Sequence, residues 1–257
     1  MNDTFCKINR IKIIFSFLLL FLPDCLSGPN AQQTICGEKL THGLIVATDT
    51  AAFHPDLFDT YWTVEGQEYE LRFWGDTIEV EVIKGFAMWR NKKYSGHIEI
   101  NYKACVMDEG LPNDRLSDLN CFWMAQDPLY PDDLFKRQAW RAGIFDHYYT
   151  LKQYYMGYGG NYNTTTRFRK YDGDFEAFRT NKTRPAILTE YADKEHLLKP
   201  NHWYNIRIVC EGKQIKYYMD GELIVDYTDE TPYTSGYFGF RTTKARVRVT
   251  GFNVKQY

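Results

Sequence analysis

Lysine and arginine never gather into a face-length run, and 31 Lys+Arg against 33 Asp+Glu leave a formal net charge of −2. A surface built to neutralise phosphates is missing, so nucleic acid is a poor partner for this chain. Cysteine is scarce, six in 257 residues with no C-x-x-C pair. That spacing is unlike a zinc site and too sparse for a disulfide scaffold, although it leaves room for one or two bridges in an oxidising compartment. No Pro-, Gly- or Ser-rich linker divides the chain, and neither an internal repeat nor long helical periodicity is present. A nucleophile elbow, a P-loop, a dinucleotide-binding glycine pattern and a His-Glu-x-x-His motif are also missing. Asp172-Gly173-Asp174 opens like a calcium loop, but the later ligands do not follow. No catalytic metal and no cofactor are expected, with a structural calcium left open.

What is present is ordinary in bulk, 25% charged and 44% hydrophobic, which excludes a disordered, a collagen-like or a polytopic membrane chain. The aromatic content is not ordinary. Twenty Tyr, 17 Phe and 6 Trp make 17% of the residues, more than one core needs, and surplus Tyr and Trp commonly serve as flat contact surfaces with a polar tip. Sugars are one ligand class that uses such surfaces.

Residues 11–22 form a run that is apolar but for Lys12 and Ser16, preceded by Lys7 and Arg10 and followed by Ser27 and Gly28. The run is short for a transmembrane span and has the layout of a secretory signal, so residues 1–27 read as a signal peptide. Cys25 stands where a bacterial lipid anchor would be attached, yet Leu22-Pro23-Asp24 before it lacks the small residues that such a signal uses. Residues 28–44 read as an N-terminal extension and 45–257 as one domain, exported to the periplasm or the cell surface of a bacterium. The bland reading of Cys105, Cys121 and Cys210 is that of small buried hydrophobes.

The domain, about 230 residues less its extension, is within the range of a single β-sandwich. Ile78, Val80 and Val82 alternate with Thr77, Glu79 and Glu81, and Ile98, Ile100, Tyr102 and Ala104 share the inner face of a second strand. Residues 119–125 read as a strand covered on both sides. Residues 203–210 and 214–219 are strands, and Asp220-Gly221 before residues 222–227 is a strong hairpin signal. Strands at residues 236–242, 247–249 and 252–254 close the chain, and residues 132–142 hold a short helix. The expected class is all-β, two packed antiparallel sheets.

Several stretches resemble the bacterial concanavalin-like (lectin/glucanase) jelly rolls. They are Tyr61-Trp62-Thr63-Val64-Glu65-Gly66, the hairpin from Trp203-Tyr204 through Gly212 to Asp220-Gly221-Glu222, and Gly236-Tyr237-Phe238-Gly239-Phe240-Arg241. Asn113-Asp114-Arg115-x-Ser117-Asp118-Leu119-Asn120-Cys121-Phe122-Trp123-Met124 and Tyr158-Gly159-Gly160-Asn161-x-Asn163-Thr164-Thr165-Thr166-Arg167-Phe168-Arg169 are similar to a branch related to the YesU-like proteins. The resemblance covers most of residues 45–257. It implies a jelly-roll sandwich and an association with bacterial degradation of pectin and rhamnogalacturonan. Activity is not implied by fold, since this fold hosts lectins, hydrolases and lyases alike.

The site candidates follow from faces and residue types. On residues 118–123 the two-residue period puts Asp118, Asn120 and Phe122 on one face and Leu119, Cys121 and Trp123 on the other. If the Cys121 face is core, Asp118 and Asn120 look into a groove, whereas the reverse makes Trp123 a sugar platform. Asn113 belongs to the same polar stretch. Around residues 154–169, Gly157, Gly159 and Gly160 permit close backbone approach, and Tyr158, Asn161 and Asn163 add polar contacts. Arg167 and Arg169 share a strand face with Thr165, and two guanidiniums aimed together bind a carboxylate such as a uronate's in bidentate fashion. Tyr237 and Arg241 alternate against Phe238 and Phe240, leaving a gap at Gly239 for a ligand ring.

Elimination at a uronate needs a base, an acid for the leaving oxygen and a group to stabilise the enolate. His147 as base, Tyr155 as acid and Arg167 or Asn120 as the stabiliser meet that need. Hydrolysis needs two carboxyl groups, about 5–5.5 Å apart for retention or roughly 6.5–9.5 Å for inversion. The Glu-x-Asp-x-x-Glu pattern of concanavalin-like glucanases is not found, although Asp118 could pair in space with Asp172, Asp174 or Glu176. The expectation is therefore an exported protein that cleaves acidic oligosaccharides or polysaccharides, a lyase ahead of a hydrolase, with a non-catalytic lectin-like module as the alternative.

Overall fold

The computed structural model describes residues 44–181 and 184–257. The leader, Cys25 and residues 28–43 lie outside them, and the expectations of export and of a lipid anchor rest on sequence. Among the described residues no helix is long and apolar enough to cross a membrane.

The frame is a long hairpin of β2 (Trp62–Trp74) and β3 (Thr77–Arg90). The first half of β3 pairs with β14 (Ala245–Gln256), Val80 opposite Val247, and its second half pairs with β13 (Ser235–Thr242), Met88 opposite Phe240. Between the halves the strand bends at Gly85, whose φ is +51°. One strand thus passes from one sheet into the other. The first sheet continues from β14 through β5 (Ile98–Met107), β10 (Trp203–Glu211) and β11 (Gln214–Met219) to β12 (Glu222–Thr228). The second continues from β13 through β6 (Leu119–Gln126), β7 (Lys152–Gly159) and β8 (Thr165–Asp172) to β9 (Ile187–Tyr191). Short strands β1 (Ala47–Thr50) and β4 (Tyr94–Ser95) pair with β14 and β13, and every pairing is antiparallel. The chain is the expected all-β sandwich.

The alternating strands bury the residues their period assigns. Ile78, Val80, Val82, Ile98, Ile100, Tyr102 and Ala104 all lie in the core between the sheets. The β11–β12 hairpin turns at Asp220 and Gly221, with φ of 51° and 87° and Met219 opposite Glu222. Trp123 of β6 stacks on Phe168 of β8, 5.9 Å between centroids, and meets Tyr217 of β11 across the sandwich. Full burial of an apolar side chain of this kind contributes about 1.5–3 kcal/mol. Cys105, Cys121 and Cys210 are free and buried.

A second core lies on the outer face of the second sheet. The segment after β6 makes short helical turns at Leu134–Arg137, Gln138–Arg141 and Phe145–Thr150, the first two falling in the stretch read as a short helix. It lays Leu134, Tyr148, Tyr149 and Leu151 onto Trp89, Phe122, Tyr155 and Tyr171. Trp89, Phe122 and Tyr148 form a continuous stack with centroids 5.4 and 5.3 Å apart. The aromatic surplus that suggested ligand platforms is largely spent on this second core. Beneath it, Arg141 and Glu65 pair with neither side chain exposed. Tyr148 Oη donates to Glu65 at 2.7 Å, and Arg137 pairs with Asp127 at 2.6 Å. A buried pair fixes geometry more than it adds stability, and here, with Arg141 Nη1 3.6 Å from Asp127 and without a hydrogen bond of its own among the described residues, it fixes the covering segment on β2.

Candidate functional site

Where the covering segment ends, the outer face of the second sheet is open and forms a cleft of about 230 Å³. Its floor follows from strand register. Arg241 of β13 stands opposite Asn120 of β6, Asn120 opposite Gly157 of β7, and Gly157 opposite Arg167 of β8. Residues paired in this way point to the same face, so two arginines flank a position with no side chain. Three strand spacings separate their backbones by about 14 Å. In the next row Tyr155 stands opposite Arg169. The Tyr155 side chain folds back over the missing side chain of Gly157, where a Cβ would lie 2.5 Å from its hydroxyl oxygen.

The cleft is strongly cationic. Arg115, Arg167, Arg169, Arg184 and Arg241 line it, and Asp118 is the one carboxylate among the described lining residues. Asp118 is engaged already, accepting from Arg115 Nη2 at 2.7 Å, Ser117 Oγ at 3.0 Å and Asn120 Nδ2 at 3.3 Å. Arg241 is 5% exposed and lies over the Phe145 ring, 4.0 Å from its centroid. Arg167 pairs with Glu190 at the rim, at 2.9 Å, and Arg169 donates to the carbonyl of Pro185. The Nε atoms of Arg115, Arg167 and Arg241 and Oδ1 of Asn120 are buried with no hydrogen-bond partner among the described residues. Buried polar atoms left open cost about 1–3 kcal/mol each, and a bound anion with hydroxyls would satisfy such donors. Burial pushes the Tyr155 phenol well up, more than the nearby Arg241 pulls it down. Burial likewise pushes Tyr149, also in the lining, up to about 12. Both phenols stay protonated at neutral pH and serve as donors.

Of the residues singled out from sequence, Asp118, Tyr155, Asn161, Arg167, Arg169 and Arg241 come together in this cleft, with Asn120 in its floor. The others do not. The His147 ring stacks on Trp140 with centroids 3.9 Å apart, its Nδ1 lies 2.7 Å from the Trp140 carbonyl, and it is not in the lining. Trp123 and Tyr158 are buried between the sheets, because the Cys121 face is the core face. Asn113 donates to Glu81 at 2.7 Å and anchors the loop before β6. Asn163 clamps Leu198 through both its backbone N–H and carbonyl. Tyr237 packs against Phe135 in the second core. The gap at Gly239 is filled by the Trp89 ring, 2.5 Å from where a Cβ would be.

Arg115, Arg184 and Tyr162 were missed, and Tyr149 lines the cleft beside them. Arg115 lies in a stretch quoted for its resemblance, and its position three residues before Asp118 was the available signal. Arg184 and Tyr149 come from segments whose return to the sheet no local pattern announces. Among the described residues no group of three or more His, Cys, Asp or Glu side chains could hold a metal ion.

Solved structures with the same fold include a protein of unknown function with a galectin-like fold from Bacillus subtilis. It is 16% identical, with a TM-score of 0.64 over 83% of this chain and 96% of that one. The carbohydrate binding module CBM66 from Bacillus subtilis is 14% identical, with a TM-score of 0.51 over 76% of this chain and 95% of that one. The exoplasmic/lumenal domain of VIP36, in a Ca2+- and mannose-bound form, is 14% identical, with a TM-score of 0.53 over 77% and 83%. At these identities the likeness shows the fold, a concanavalin-like sandwich. No curated protein matches the chain. The profile of a domain of unknown function, DUF6250, matches residues 80–252, and the chain belongs to that family.

Proposed function

We propose that the cleft binds an acidic, uronate-containing oligosaccharide, with the carboxylate held among Arg241, Arg167 and the Tyr155 hydroxyl that lies over Gly157. The observation that carries this reading is the cross-strand row itself, two arginines on either side of Asn120 and Gly157 with the Tyr155 hydroxyl laid over the glycine. Arginine's planar fork suits a carboxylate, and Asn120, Tyr149 and Tyr155 supply hydrogen-bond groups for hydroxyls. The galectin-like and carbohydrate-binding fold neighbours support a sugar as the ligand. The resemblance to YesU-like proteins supports a pectin- or rhamnogalacturonan-derived one, and the apolar leader supports a site of action outside the cytoplasm.

A second reading, cleavage by elimination, is favoured by the Tyr155 hydroxyl above Gly157, near the Arg241 charge. The phenol would donate to the leaving oxygen and Arg241 would stabilise the enolate. The fold neighbours support binding of a sugar without separating the two readings. His147 does not line the cleft and Asp118 is held by three donors, so no lining side chain among the described residues is free to take the proton. Hydrolysis has less support, because the lining offers one carboxylate where two are needed.

Incubation with uronate oligosaccharides, with calorimetry, ultraviolet absorbance of unsaturated uronate and new reducing ends followed together, tests the proposal. Heat of binding without new absorbance or reducing ends is the result expected of a binding protein. Absorbance and reducing ends rising together establish elimination, and no heat with any uronate overturns the proposal.

A further inference from the structure

The chain between β7 and β8 takes an unusual path. Asn161, Tyr162 and Asn163 have φ of 53°, 59° and 56°, three consecutive left-handed residues with no glycine among them. Asn tolerates that region because its short side chain bonds locally, whereas a bulky residue there is an outlier. The two asparagines behave accordingly. Asn161 Nδ2 donates to Thr164 Oγ1 at 3.1 Å, and Asn163 donates to the Leu198 carbonyl at 2.9 Å and accepts from its N–H at 2.8 Å.

Tyr162 has no such local justification. The residue is 74% exposed, and it lines the same cleft as Arg167 and Arg241. Arg115, itself paired with Asp118, lies 5.1 Å from the ring centroid, so a cation attends the ring while most of it stays open. Backbone held in a disfavoured region to present one side chain at a cleft is a feature that clusters at ligand sites. From Tyr155 to Gly159 the cleft floor runs four residues along β7, about 13 Å, longer than one sugar ring, and Gly160 continues the lining.

We propose that Tyr162 is the stacking platform for a second sugar residue. The acidic residue sits at the Tyr155 hydroxyl, between Arg241 and Arg167, and its neighbour toward the β7–β8 turn lays an apolar C–H face on the Tyr162 ring, whose negative π-face attracts polarised C–H groups. The ligand class is then an oligosaccharide of at least two residues, not a single uronate. This inference deepens the acidic-glycan reading and rests on it.

Calorimetry with galacturonate and with its trimer, on the wild type and on Tyr162→Gly and Tyr162→Phe, tests it. Glycine occupies the left-handed region without strain, so Tyr162→Gly is expected to melt at the same or a higher temperature while binding the trimer about tenfold more weakly. Its affinity for the monomer stays within about twofold, and Tyr162→Phe keeps the trimer affinity, because the ring and not the hydroxyl is the contact. Unchanged trimer affinity in Tyr162→Gly, or a parallel loss of monomer and trimer, overturns the platform while leaving the uronate site standing. Failure of the wild type to bind either ligand overturns the acidic-glycan reading and this inference with it.

Discussion

Arg241 and Arg167 lie in one cross-strand row, with only Asn120 and Gly157 between them. The two are not equivalent. Arg241 is nearly buried against Phe145, whereas the Arg167 side chain is 29% exposed and already paired with Glu190. Arg241→Lys keeps the charge but loses the fork and the ring contact. It is expected to weaken uronate binding by about 1.5–3 kcal/mol, tenfold or more. Arg167→Ala should cost less, and calorimetry at low and high salt separates the two. The contribution of Arg167 fades with added salt and that of Arg241 persists, since buried pairs are screened less.

Gly157 is the floor of the cleft. A Cβ there meets the Tyr155 hydroxyl oxygen at 2.5 Å, so Gly157→Val displaces the Tyr155 phenol from its place between the arginines. Overpacking of this kind costs about 1–3 kcal/mol of stability. Thermal unfolding is expected to show a lowered but cooperative transition, and calorimetry a loss of uronate binding.

His147 faces Trp140 and Phe178 and not the cleft. The variant His147→Ala is expected to keep uronate affinity within about twofold, a change below roughly 0.5 kcal/mol. A tenfold loss would return His147 to the site.

Alternation was legible in the sequence and distance was not. The period of two placed Ile78, Val80 and Val82 in the core and Arg167 with Arg169 on one face, because the strand backbone alone dictates that much. It set relative faces but not absolute ones on β6, where burial of Cys121 between the sheets put Trp123 in the core with it. Residues 145–149 carry a local Tyr-rich pattern that says nothing of their fold-back onto Trp89 and Phe122. His147 and Tyr148 are neighbours in sequence, yet one stacks on Trp140 and the other is buried against Glu65. The gap at Gly239 looked vacant because no local rule places Trp89 in it.

The covering segment depends on Glu65 and Arg141, paired with neither side chain exposed. Removing one partner leaves a buried charge alone, which costs about 3–5 kcal/mol. Glu65→Gln and Arg141→Met are each expected to lower the unfolding free energy by that order, read as a fall in the urea midpoint. Glu65→Leu combined with Arg141→Met should recover much of the loss, which the double-mutant cycle measures.

Asp114 anchors the loop that brings Arg115 and Asp118 to the cleft, accepting from Arg246 Nε at 2.9 Å and from the Glu109 N–H at 2.7 Å. The Arg246 hydrogen bond, aided by the backbone donors, holds its carboxyl down to about 2 from an ordinary 3.8. A carboxyl depressed on folding stabilises the fold above its unfolded value, and that stability is lost as pH falls from about 3.8 toward about 2. Unfolding followed across that window should show the loss in the wild type. Asp114→Asn should be less stable at pH 7 and show a shallower dependence on acid.

The account's central claim is that a carboxylate is what the arginine row recognises, and a matched pair of ligands tests it most directly. Calorimetric titration with a galacturonate trimer and with its methyl ester holds hydroxyls and ring shape constant, adds one methyl per carboxyl and removes the charge. The account predicts that the ester binds at least about tenfold more weakly to the wild type, and that Arg241→Lys narrows the difference. Equal affinity for the two ligands, or no binding of the acid form, would contradict it.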